Sequence, residues 1–223
     1  PVRIPVIELV EIGAGGGSLA RVDAMKRVTV GPESAGAAPG PACYGRGGAR
    51  PAVTDADLTL GRIEPARFAG GEISPDETAA ARALSVEIAE PLGLDIDEAA
   101  FAVSEVVDEN MASAARAHAV EQGKDIRARA LIAFGGAAPL HAARLAEKLG
   151  LKTVIVPTGA GVGSAIGFLL APAAYEIVRS LPMRFDRFDE GRVASLFDEM
   201  RREAEAVVRA AVGDAPLTEE RAA

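Results

Sequence analysis

A short alternation of apolar strand and glycine-broken helix between residues 129 and 170 constrains this chain more than any other feature. Leu131-Ile132-Ala133-Phe134 reads as a short buried strand that runs into Gly135-Gly136, then a helix from Pro139 to Leu149 closed by Gly150. Thr153-Val154-Ile155-Val156 is the next strand, followed by a glycine loop and an apolar helix near 162–170. That β-α-β order implies a parallel pair, and such sheets bind ligands at the glycine turns beyond their strand ends. The expected class is α/β.

Upstream, residues 6–12 and 26–30 read as strands rich in Val and Ile, with a glycine run between them. Residues 31–53 hold no helical period, and Gly31-Pro32, Pro39-Gly40-Pro41 and Gly45-Arg46-Gly47-Gly48 mark a long loop, of a length uncommon without a function. Ser74-Pro75-Asp76-Glu77 predicts a helix with Ser74 as N-cap and Pro75 first, stopping near Glu90 before Pro91 and Gly93. Asp95 and Glu98 offer a second capping box. Beyond it Ile96, Ala99, Ala100, Val103, Val106, Val107 and Met111 recur at spacings of three and four, and the pattern runs to Gly123. About 28 residues at about 1.5 Å each make a helix of about 40 Å. Residues 174–184 are a further candidate strand, and Val193, Leu196, Phe197, Met200, Ala204, Val207, Val208 and Ala211 share one face of a final amphipathic helix. Residue 1 is proline and opens directly on a strand-like stretch, which predicts a cut from something longer.

Composition excludes several classes. Net charge is −8 and aromatics make up 4%, so neither a basic stripe nor a stacking platform for nucleic acid is available. Arg201 and Arg202 sit among Glu199, Glu203 and Glu205, a solvated helix face. One cysteine permits no intrachain disulfide and no thiolate zinc cluster, and two histidines leave metal ligation to carboxylates. No metal site is therefore expected. No apolar run reaches the length of a membrane span and nothing at the start resembles a signal peptide, so the default expectation is cytoplasmic.

Three glycine clusters carry most of the functional information. Gly13-Ala14-Gly15-Gly16-Gly17-Ser18 is neither a P-loop nor a dinucleotide fingerprint, and taken alone it reads as a bulged or tight turn. Its adjacent glycines would nonetheless let backbone N–H groups approach a phosphate or sugar. Ala133 to His141 places Gly135-Gly136-Ala137 between a strand and a proline-started helix, which suits an anion or ribose-phosphate and equally suits a plain β-α turn. Pro157 to Gly167 carries small residues that permit close helix packing at an interdomain contact.

Single residues add less. Asp55 and Asp57 are candidates for a metal or substrate, with helix capping the simpler role for Asp55. Cys43 reads as a lone buried thiol, and His118 as a core histidine on the long helix. Asn110, Arg116 and Glu121 border that helix's stripe and either face a cleft or pair with one another, and His141 is a candidate to face the cleft. No catalytic residue is assigned.

In this order, Glu11 to Ala20, Val30 to Gly36, Pro39 to Gly48, Val53 to Arg62, Ala133 to His141 and Val156 to Gly167 closely resemble the A-type subunits of the hydantoinase/oxoprolinase family. The resemblance covers about residues 5–185, with Ala138 a departure where many relatives carry glycine. It implies one lobe of an actin/sugar-kinase/heat-shock ATPase-like, ribonuclease-H-like fold with a helical insertion. Residues 1–35 would then be strands and glycine loop of the lobe, 36–125 a loop plus helical subdomain, 126–185 its adenosine-motif β-α-β part, and 186–223 a terminal helix. It further implies ATP and Mg²⁺ as cofactors, with Gly15, Gly16, Gly17, Ser18, Gly135, Gly136 and Ala137 at the nucleotide. The implied activity is ATP-driven activation of a cyclic amide carbonyl for hydrolysis, with a B-type subunit or domain as partner. The superfamily's two phosphate loops, built on Asp-x-Gly-Gly/Thr, do not occur in these 223 residues, so no phosphoryl transfer is expected from them alone. The rival expectations are a non-catalytic adenosine-nucleotide or partner-binding module and an ATP-dependent ketone carboxylase subunit. A dinucleotide oxidoreductase is opposed by the strand-like segment after Gly13 and by the lack of an acidic ribose ligand at the usual offset.

Overall fold

The structure, a computed structural model, describes residues 9–71 and 73–220. Two compact units divide at Ala165/Ile166.

The first unit is organised around one long helix. In chain order it contains β1 (Ser18–Val22), β2 (Val28–Ser34), α1 (Val53–Thr59), α2 (Glu77–Leu84), α3 (Glu90–Leu92), α4 (Ile96–Glu121), β3 (Leu131–Ile132), α5 (Ala138–Leu149) and β4 (Val154–Ile155). The helix α6 (Gly163–Leu170) spans the division. α4 starts where its capping box predicts: Glu98 N donates to Asp95 Oδ1 at 2.8 Å and Asp95 N to Glu98 Oε2 at 3.0 Å. Its 26 residues bury Ala99, Ala100, Val103, Val107 and Ala112. Those short side chains bring α1, β2 and α5 close to its axis. Val53 and Ala56 of α1, Leu84 of α2, Ile88, and Ala20 and Val30 of the hairpin complete this core.

Several expected boundaries move. Residues 9–12 form no strand, and 6–8 lie outside the described residues; the first strand is instead Ser18–Val22, beyond the glycine run. It pairs antiparallel with β2, and the 26–30 expectation shifts to Val28–Ser34, taking four residues from the supposed loop. The tight link is held by Asp23, whose Oδ1 accepts from Met25 N and Arg27 N, both at 2.9 Å. The N-cap of α2 is Asp76, not Ser74, because the Asp76 carboxylate alone reaches Thr78 N and Ala79 N. That helix passes through a widened π turn, Ser85–Ala89, into α3 and ends at Gly93, not near Glu90. The wider turn precedes Pro91, which has no N–H to contribute to a regular ladder.

β3 and β4 are parallel, Leu131 opposite Val154 and Ile132 opposite Ile155, with α5 as the crossover. The expectation of a buried strand at 131–134 holds only in part: Ala133 is buried and Leu131 half-buried, but Ile132 and Phe134 are exposed, as are Val154, Ile155 and Val156 of its partner. Among the described residues only two strands make this sheet, so one helix cannot cover both faces.

In the second unit, residues 174–184 form no strand, having no partner strand among the described residues and a proline at 182 without an N–H. α7 (Glu190–Val212) matches the expected amphipathic helix, with Asp189 capping Arg192 N at 3.0 Å. Of its expected stripe, Val193, Leu196, Phe197, Met200, Ala204 and Val208 are half-buried, whereas Val207 and Ala211 are exposed. Arg209 closes its end by donating to the carbonyls of Gly213 and Ala215.

Candidate functional site

The glycine clusters, scattered through the sequence, converge. The Gly13–Ser18 turn is closed by the Ser18 hydroxyl, which accepts from Gly15 N at 3.0 Å and donates to Gly13 O at 3.2 Å. It is seated on α1: Gly16 O accepts from both Thr54 N and Thr54 Oγ1, each at 2.8 Å. A Cβ on Gly16 would stand 2.9 Å from Thr54 Oγ1 and 3.3 Å from Ala137 Cβ, so glycine is what lets the first turn touch the second. The second turn bends at Gly135, φ +105°, whose N–H donates to Ala160 O in the third cluster at 2.7 Å. Phe134 lies against Gly163, 3.5 Å from its Cβ position. The segments holding Gly15, Gly16, Gly17 and Ser18 and Gly135, Gly136 and Ala137 are thus brought together.

Glycine at two of these positions has no internal reason. Gly15 and Gly136 have neither a positive φ nor any atom within 4 Å of where a Cβ would stand. Gly16, by contrast, is demanded by packing, and Gly135 by its backbone conformation. Beside Gly136, α5 starts at Ala138 with no side-chain cap; Pro139 has no N–H and Leu140 N donates to Ala137 O, so the Ala138 N–H and the positive dipole end are what the turn offers. A cleft of about 450 Å³ opens beside the first turn, lined by Glu11, Ile12, Gly15, Gly17, Ser18 and Ser34 among others.

Directly below, α5 buries an ionic network. His141 Nδ1 lies 2.8 Å from Asp108 Oδ1 of α4, and Nε2 lies 3.1 Å from Asp57 Oδ2 of α1. Arg62 Nη1 donates to Asp57 Oδ1 at 3.0 Å and to Ser104 Oγ at 2.6 Å. All but Arg62 are fully buried. Burial disfavours charge on the imidazole, but the hydrogen bonds to Asp108 and Asp57 outweigh it and raise its pKa to about 9. Asp108 Oδ2 has no partner among the described residues. His141 therefore points into the helix core and not into the cleft. The sequence reading missed Asp108; Ser104 and Asp108, polar residues one turn apart within an apolar stripe, were the available signal.

Asp55 is not the N-cap of α1 but its third residue. It accepts from Cys43 N and Ala52 N, both at 2.7 Å, and from Ala42 N at 3.2 Å. Cys43 is a free, fully buried thiol, pushed well above the ordinary thiol range by burial and by Asp55. His118 is half-buried, so it is not a core histidine. Asn110 donates to Val30 O, Arg116 bonds Lys148 O and Glu109, and Glu121 is exposed at the end of α4; these three do not form a shared cluster. Among the described residues no group of three His, Cys, Asp or Glu could hold a metal ion, and no helix is long and apolar enough to cross a membrane.

The model of the family described as hydantoinase/oxoprolinase matches residues 1–177. The chain belongs to this family. It is 44% identical over 185 residues to the caprolactamase subunit alpha of Pseudomonas jessenii, covering 83% of the chain and 27% of that relative. The crystal structure of the ATP-dependent caprolactamase from the same organism matches at TM-score 0.66 and 41% identity. A nucleotide-free acetone carboxylase structure, described in terms of ATP-dependent acetone carboxylation, matches at TM-score 0.74 and 30% identity. Each structural match covers 88% of this chain and 29% of the other. The chain thus spans less than a third of the length of these relatives. The α/β, ATPase-like fold class stands on these likenesses.

Proposed function

We propose that the converging glycine turns hold the adenosine end of ATP in an ATP-dependent hydrolase of cyclic amides. The observation that carries this reading is the pair Gly15 and Gly136, on facing turns, where the fold itself has no need of glycine. A missing side chain with no internal cause leaves room for a ligand to lie against backbone. Gly135–Ala137 would receive the ribose or adenine, and the Ala138 N–H at the start of α5 would face its polar edge. The Ser18-closed turn would hold the other side, its backbone kept rigid by Thr54. When bound, ATP supplies a phosphoryl group that turns a carbonyl oxygen into a leaving group. The acidic ligands for Mg²⁺ would come from the two phosphate loops, whose Asp-x-Gly-Gly/Thr pattern these 223 residues do not contain. A B-type subunit would complete the reaction.

A second reading, an ATP-dependent ketone carboxylase subunit, is favoured by the acetone carboxylase likeness; under that reading the nucleotide would lie at the same turns. Isothermal titration with adenosine and with Mg-ATP, alongside Gly136→Val, tests the shared site. The expected result is weak binding of both ligands, lost in the variant while its circular dichroism is unchanged, since a Cβ at 136 meets nothing within 4 Å. Retention of binding by Gly136→Val would remove the assignment, and no binding by the parent chain would show that these turns alone make no site.

A further inference from the structure

The nucleotide reading leaves the buried charges beneath the turns without a role. His141 meets a carboxylate oxygen at each ring nitrogen, at 2.8 and 3.1 Å. A neutral imidazole has one donor only, so two such contacts select the imidazolium, and Arg62 on the other oxygen of Asp57 brings two cations against two carboxylates. Buried ion pairs seldom hold helices together better than apolar side chains of similar size. What they add is direction, because each hydrogen bond fixes an angle as well as a distance.

The contacts close a ring of elements. Ala137, one turn before His141, touches the Gly16 position; Gly16 O is held twice by Thr54; Thr54 lies one turn before Asp57 in α1; and Asp57 returns to His141. Asp108 anchors that ring to α4. We propose that His141 is the positioning residue of the nucleotide cleft, clamping the start of α5 to α1 so that the 135–137 turn faces the Gly13–Ser18 turn. This rests on the reading of those turns as the nucleotide site. The charged groups facing the ring are Asp57 from α1, Arg62 from the segment after it and Asp108 from α4; Arg144 and Lys148 of α5 pair outward with Glu105.

The test uses the whole chain and His141→Gln, whose side chain cannot donate at both ends. Without ligand, amide hydrogen exchange in 13–18 and 135–140 should quicken tenfold or more in the variant, with circular dichroism retained. Adenosine affinity should fall about tenfold at neutral pH. Parent-chain affinity should also decline as pH rises through about 9, where His141 loses its proton, while the variant stays flat from pH 7 to 10. Unchanged exchange in both turns, or a parent affinity with no inflection near 9, would overturn the proposal. If the parent chain binds no adenosine, the nucleotide reading fails on its own and ligand-free exchange still decides the positioning role. Should His141→Gln not fold, Asp57→Asn keeps the Asp108 contact and carries the same expectations for amide exchange and for adenosine affinity at neutral pH.

Discussion

Asp55→Asn isolates how one carboxylate orders the 42–52 segment. The side chain is fully buried and takes three backbone N–H groups, from Ala42, Cys43 and Ala52. An asparagine keeps one acceptor oxygen, which can serve Ala42 and Ala52 as Oδ2 does. Its amide then faces Cys43 N, donor against donor, at the 2.7 Å position of Oδ1. A hydrogen bond to a charged group contributes about 1.5–3 kcal/mol, and an orphaned buried N–H adds a further penalty, so the expected loss is about 3 kcal/mol. That loss should be local, because the bonds join the short 3₁₀ turn Ala42–Tyr44 to α1. Cys43 reports it directly, its thiol being fully buried inside that turn. If reagent reaches the thiol only through local opening, about 3 kcal/mol corresponds to about a hundredfold faster labelling by a disulfide reagent. Urea unfolding and labelling rate would be measured together on parent chain and variant. Equal labelling rates, or an Asp55→Asn chain as stable as the parent, would refute the argument.

Two pH experiments follow from the ionic groups. The folded pKa of His141, about 9, lies above its ordinary 6.5, so its stabilisation is complete below 6.5 and disappears as pH rises through 9. That shift corresponds to about 3 kcal/mol, and the stability gap between the parent chain and His141→Gln in urea should shrink by about that amount between pH 6 and 10; a constant gap would exclude an imidazolium. Glu105 behaves oppositely: hydrogen bonds from Arg144 and then Lys148 lower it to about 2 from 4.5. Its contribution is present above 4.5 and lost as pH falls through 2, so acid unfolding of Glu105→Gln should converge on the parent chain in that window. Arg144 is half in solvent, so the effect should not exceed about 1 kcal/mol.

What was legible in the sequence is what short-range chemistry specifies. The capping box of Asp95 and Glu98, the length of α4, the parallel β3–α5–β4 unit and the amphipathic α7 all follow from neighbouring residues and their periods. The order of the glycine segments also carried the family, because turn chemistry is written in a few contiguous residues. Misplaced boundaries arose where two local signals competed. Ser74 and Asp76 both suit an N-cap, and only the backbone geometry selects the residue whose oxygen reaches two N–H groups.

Tertiary structure alone decided which of these segments meet. Gly16 is 121 positions from Ala137 in the chain, and nothing local says that a Cβ at one would crowd the other. Asp57, Asp108 and His141 sit on three helices, each explicable locally as a cap, a surface charge or a core histidine. Their identity as one buried network exists only once α1, α4 and α5 pack together. The reason is physical: a helix pattern states which face is buried, but a hydrogen bond across helices depends on rotation and height that packing sets. Contiguous residues specified the helices, the α/β class and the family, though not the strands expected at 9–12 and 174–184, and the packing of small side chains along α4 set where the charges are held.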